Sequence, residues 1–79
     1  MEEIIVEFDF SKLRGRIVEK FGTIAGFCDA ADISMQRMSA RLNNRHQFQP
    51  TEIKRFCMPD LLDIADEEIP AYFFVPKVR

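Results

Sequence analysis

The stretch from Thr23 to Arg45 holds side chains able to address the edges and backbone of a nucleic-acid duplex. Gln36 has a donor and an acceptor on one amide plane, a match for the adenine edge. Arg37 and Arg41 have forked donors that fit guanine O6 and N7. Ala40 offers a methyl to a thymine methyl, or simply clearance. The spacing 36, 37, 40, 41 places these four on one side of a helix. Thr23, Ser34, Asn43, Asn44 and Arg45 fall at helix ends, where hydroxyls, amides and backbone N–H groups meet phosphate oxygens.

Such side chains work only if rigid elements aim them. Thr23 is placed to cap a helix whose apolar positions are Ile24, Phe27, Cys28 and Ala31. Ala31-Asp32-Ile33 reads as a tight turn, and Ser34 as the cap of the next helix, with Met35, Met38 and Leu42 on its inner side. A helix-turn-helix needs a small residue where its helices cross, and Cys28 supplies it. It needs a turn residue that accepts left-handed backbone, and Asp32 is a workable alternative to glycine. Phe27, Ala31, Ile33 and Met38 pin both helices to a core. Met35 has two readings, a base contact or a cover for the core, and its place three residues before Met38 favours the core. Asn43-Asn44 ends the second helix.

The remaining elements follow from periodicity. Ile4, Val6, Phe8 and Phe10 alternate with Glu3, Glu7 and Asp9, as in a short strand, with Ile5 breaking the pattern. Ser11 is positioned to cap a helix with Leu13, Ile17, Val18 and Phe21 on its inner stripe and Lys12, Arg14, Arg16 and Lys20 outside. Gly22 ends it. Pro50 suits the first position of a fourth helix, Glu52 its positive end, and Ile53, Phe56 and Cys57 its apolar face. Pro59 is expected to stop or kink it near Met58, and Leu61, Leu62 and Ile64 continue the apolar pattern. Asp66 is the expected cap of a last short helix through Tyr72 or Phe73, with Pro70 in its first turn. Phe74 to Val78 reads as extended, and Pro76 requires an edge. The two extended ends could pair as a small two-stranded sheet. Residues 1–79 therefore read as one all-α, five-helix domain.

Composition narrows the function classes. The formal net charge is −2, yet basic residues concentrate over 12–20 and 34–55 while acids concentrate at the two ends. One basic and one acidic face can still orient a protein on a phosphate backbone. No segment nears the roughly 18 apolar residues of a membrane span. The Met-Glu-Glu start lacks the features of a signal peptide, so a cytoplasmic location is expected. Cys28, Cys57 and the single His46 cannot complete a zinc site. The carboxylates from Asp60 to Glu68 lack the spacing of a calcium loop. No catalytic set, phosphate loop, cofactor motif or small-molecule site is legible, and an enzyme is not expected. Tyr72, Phe73 and Phe74 are expected in the core, with part of the group at a dimer face.

Residues 23–44 resemble the Cro and phage-repressor type of helix-turn-helix. Gly22-Thr23, Ile33-Ser34 and Leu42-Asn43-Asn44 fall in register with that type. The strings from Phe10 to Ile17 and Lys20 to Thr23, with Glu68-Ile69 and Tyr72-Phe73-Phe74, are similar to a family of small Cro-like regulators from prophages of Gram-positive bacteria, over about residues 8 to 79. Gly26, Asp32, Arg41 and Pro59 depart from the usual pattern. The resemblance implies the phage-repressor-like version of the five-helix fold. It also implies a repressor that binds operator double-stranded DNA as a homodimer. The alternative is a protein-binding, antirepressor-like module that uses the same fold without reading DNA.

Overall fold

The structure is a computed structural model that describes residues 7–77. Ile4 and Val6 of the expected first strand, the early acids Glu2 and Glu3, and Val78 lie outside the described residues. The chain runs through α1 (Ser11–Phe21), α2 (Ile24–Ala31), α3 (Met35–Leu42) and α4 (Pro50–Phe56). A single 3-10 turn (Asp66–Glu68) then leads into α5 (Ile69–Phe73). The architecture is all-α with five helices, as expected, and no sheet forms among the described residues.

Local chemistry sets each boundary. α1 has Phe10 at its cap position, and its capping group is the Asp9 carboxylate rather than Ser11. Ser11 donates both its N–H (2.9 Å) and its hydroxyl (2.5 Å) to Asp9 Oδ1. These bonds, the hydroxyl's first, hold the Asp9 carboxyl below its usual range. α1 ends at Gly22, whose φ of 78° returns its N–H to the Val18 carbonyl. Leu13 and Ile17 are fully buried, whereas Val18 remains 49% exposed and is not part of the inner stripe. α4 begins with a capping box that the sequence pattern had not suggested. The Gln49 side chain accepts from the backbone of Glu52, and Glu52 accepts from the Gln49 N–H. The helix ends at Phe56, ahead of Pro59, and the following turn needs left-handed backbone at Asp63 (φ 51°). Asp66 opens the 3-10 turn but makes no side-chain cap; Pro70 sits in the first turn of α5 as expected.

One hydrophobic core joins the elements, drawing on Phe10, Leu13, Ile17, Phe27, Met38, Leu42, Phe56, Leu62 and Phe73 among others. All eight phenylalanines belong to a single chain of ring contacts. Most of these contacts are edge-to-face, the arrangement favoured by the ring quadrupole. Phe27 ties Phe21 at 5.4 Å to Phe56 at 5.2 Å, and Phe48 links Phe56, Phe10 and Phe73. Of the expected aromatic group, Phe73 is in the core, Tyr72 is half-buried beneath Lys12, and Phe74 is 48% exposed. Cys28 and Cys57 are buried free thiols; burial, with Asp66 nearby, pushes Cys57 up to about 11.

The chain ends do meet, although the expected sheet reduces to one antiparallel bridge between Phe8 and Pro76. The Asp9 N–H donates to the Val75 carbonyl (2.7 Å) and the Lys77 N–H to the Glu7 carbonyl (2.9 Å). Pro76 has no N–H to contribute, in keeping with its edge position. The other side of Phe8 is held by Asn44, whose amide accepts from the Phe8 N–H (2.9 Å) and donates to the Phe8 carbonyl (3.0 Å).

Candidate nucleic-acid interface

The frame of the site is α2, the turn and α3. Thr23 is extended, and its hydroxyl oxygen accepts from the Gly26 N–H at 2.9 Å. A Cβ at Gly26 would lie 2.8 Å from the Phe21 carbonyl oxygen and 3.3 Å from Thr23 Oγ1. Gly26 therefore lets the start of α2 fold tightly back on the end of α1, which explains one departure noted in the sequence. Gly26→Ala should destabilise the domain by about 1–3 kcal/mol, since backbone rather than a flexible side chain must move. Thermal unfolding of the variant checks this.

Asp32 has φ 56° and ψ 47°, the left-handed conformation the turn requires, and its N–H returns to the Cys28 carbonyl. Ser34 caps α3 by accepting from the Arg37 N–H at 3.2 Å. Thr23 and Ser34 use only oxygen lone pairs in these caps, so each keeps its hydroxyl hydrogen to donate to a phosphate. Cys28 is buried where the helices cross.

Gln36 and Arg37 stand exposed on the outer side of α3, with Ala40 half-buried beside them. Ser34, Thr23, Asn43 and Arg45 are also exposed. Gln36, Arg37, Ser39, Ala40, Arg45 and His46 line a shallow concavity of about 570 Å³. Asn43 is tied loosely, donating to Ser39 Oγ (3.2 Å) and accepting from Arg14 (3.4 Å).

Three residues depart from expectation. Arg41 is not an outward reader: it is 8% exposed and faces α4. Its Nε donates to Glu52 Oε1 at 2.8 Å and its Nη1 to the Arg37 carbonyl at 3.1 Å. Asn44 is not available to phosphate, because both ends of its amide hold Phe8 and its φ of 61° makes the left-handed turn after α3. Met35 does not cover the core; it is 48% exposed at the first position of α3. The partner at Glu52 was missed because it is an acid on another helix, read only as a charge near a helix end. His46 lies beside Arg45 on the concavity.

The electrostatics are correspondingly modest. Burial raises the Glu52 carboxyl, but bonds from Arg41 and the Gln49 N–H and the charges of Arg41 and Arg37 outweigh it. The carboxyl therefore lies below its usual range. Arg55 is also paired, bidentate to Asp60 at 3.0 and 3.1 Å. On α1, Arg16 donates to the Leu62 and Asp63 carbonyls (2.9 and 3.0 Å), closing the turn after α4 rather than facing a ligand. Arg37 and Arg45 are left as the exposed cations around the concavity. Among the described residues, no cluster of three or more His, Cys, Asp or Glu could hold a metal, and no helix is long and apolar enough to cross a membrane.

Comparison with known proteins places this geometry in a family. No curated protein matches the chain. Among solved structures, it is similar to the modulator of repression (MOR) of the temperate bacteriophage TP901-1 from Lactococcus lactis. The two share 35% sequence identity over 91% of this chain and 95% of that one, with a TM-score of 0.76. A family model described as a protein of unknown function, DUF739, matches residues 6–76. With the match spanning nearly the whole folded chain, this protein belongs to the DUF739 family.

Proposed function

We propose that this chain is a regulator of repression in a temperate phage, and that it works by reading operator DNA through the outer face of α3. The observation that carries this reading is the exposed pair Gln36 and Arg37 on a helix fixed by a left-handed turn and two side-chain caps. Its similarity to a modulator of repression supports the regulatory part. Ala40 borders the reading pair, and Thr23, Ser34, Asn43 and Arg45 are the phosphate contacts that would set register. No catalytic chemistry, metal or cofactor is involved. A single small module binds weakly, so the active form is a homodimer with its reading helices about 34 Å apart, in successive major grooves. Occupancy of the operator in the cytoplasm then blocks transcription in the Cro-like manner.

A second reading has its own observation. Met35 is 48% exposed at the start of α3, while one candidate reader, Arg41, is buried. An apolar side chain on a weakly cationic face suits contact with another regulatory protein, in an antirepressor-like role. Salt separates the two. A DNA reader loses affinity steeply with added salt, and a protein contact centred on Met35 does not. In the DNA reading, Gln36→Ala with Arg37→Ala abolishes preference for the selected site, at about 1–3 kcal/mol per lost base contact. Binding of a pool-selected duplex against a scrambled one measures it. Site preference surviving the double substitution refutes the assignment of base readers.

A further inference from the structure

Among the described residues, Arg41 is the charged side chain that is buried, and the acid that buries it lies on a different helix. Glu52 Oε1 accepts twice: from Arg41 Nε at 2.8 Å and from the Gln49 N–H at 2.9 Å. The second bond belongs to the α4 capping box, so the position of the carboxylate is set by α4 itself. Arg41 is then drawn down toward α4, four residues after Arg37 and bonded to the Arg37 carbonyl. Even so, Arg41 borders the same concavity as Gln36, Arg37 and Arg45. A guanidinium released from Glu52 would emerge among the proposed reading residues. The influence of Glu52 also reaches Arg37, whose charge is one of those that keep the carboxyl ionised.

We propose that Glu52 is a specificity-determining residue: by neutralising Arg41 against α4, it withholds one cation from the α3 face. This rests on the DNA reading given above. Attraction between cations and the phosphate backbone raises affinity for every sequence alike, whereas base-edge contacts distinguish sequences. A face that carries Arg37 and Arg45 but not Arg41 depends more heavily on Gln36 and Arg37 meeting the correct bases. A purely structural Arg41–Glu52 pair would alter stability and leave the salt dependence of binding unchanged.

The test measures binding of a labelled random-sequence duplex across a salt series, with circular dichroism and thermal unfolding as checks on the fold. Glu52→Gln keeps a side chain that can complete the capping box but loses the charge. It should tighten non-specific binding on the order of tenfold near about 0.1 M salt and steepen the salt slope by about 0.9. Arg41→Gln combined with Glu52→Gln should restore the wild-type slope. Glu52→Gln that folds and keeps the wild-type slope overturns the proposal. So does a double variant whose slope falls below wild type by about 0.9, because Arg41 would then contact phosphate in the native protein. If Glu52→Gln does not fold, Glu52→Ala, which also removes the carboxylate that holds Arg41, decides by the same slope. Binding by Glu52→Gln but not by wild type would refute the DNA reading and uphold the withholding role; no binding by either refutes both.

Discussion

Phe27→Ala leaves the chain largely unfolded at physiological temperature. Phe27 is fully buried and is the link through which Phe21 on α1 joins Phe56 on α4. Truncating such a ring removes about 3–5 kcal/mol, through lost transfer free energy and the cavity left behind. A 79-residue domain has a stability on the order of 4–12 kcal/mol, and short chains fall toward the lower end. The loss is therefore comparable to the whole. Loss of near-ultraviolet dichroism and of amide dispersion in NMR spectra is the expected outcome. Phe27→Leu, which refills most of the volume, should recover a folded protein. A cooperative unfolding transition in Phe27→Ala close to that of wild type would mean that the aromatic chain is not what joins α1, α2 and α4.

This core was legible in the sequence because it rests on local rules. Phe27 and Cys28 fall at helical spacing, Thr23 and Ser34 are cap residues, and Gly22 and Asp32 sit where left-handed backbone is needed. The structure has each of them in that role. Where a residue's partner was distant in sequence, the reading failed. Asn44 was read as a helix end facing phosphate. Its side chain instead holds Phe8, a residue 36 positions away. Periodicity placed Val18 and Met35 on apolar stripes, yet both lie at the margin of their helix's contact with the core and remain about half exposed. A three- or four-residue spacing gives the direction of a face, not the width over which another element covers it.

Arg41→Ala should destabilise the protein by about 2–3 kcal/mol at neutral pH. That is below the roughly 3–5 kcal/mol typical of breaking a fully buried pair, because the Glu52 side chain keeps 17% exposure. The loss comes mainly from leaving a half-buried carboxylate without its cation. A pH signature follows. In the native protein the Glu52 carboxyl lies below its ordinary value of 4.5, so its contribution to stability is complete above that pH and is lost as pH falls through the depressed folded value. In Arg41→Ala, burial still raises the carboxyl but the main opposing bond and charge are gone. The stability difference between variant and wild type should therefore narrow as pH falls below about 4.5, where Glu52 takes up a proton. Urea unfolding of both proteins across acid and neutral pH measures it. A difference that stays constant across that range would mean the variant acts through packing of the Arg41 stem rather than through the charge of Glu52.

The candidate site was half legible for the same reason. Gln36, Arg37 and Ala40 follow from helix geometry and the Ser34 cap, and they stand where that geometry puts them. Arg41 shares their spacing but not their exposure, because an acid on α4 competes for it. Only the placement of Glu52 within reach of Arg41 in the folded chain reveals that competition. The face that remains is small and modestly cationic, so any recognition by it depends on a few well-aimed groups.

The most direct test of that face is an amide NMR titration of the isotope-labelled protein with a duplex selected from a random pool at low salt. The account predicts shifts concentrated at Thr23, from Ser34 to Ala40 and at Arg45, fading as salt is added. Shifts confined to the Phe8, Phe74 and Val75 side of the molecule, or no response to any duplex, would contradict it.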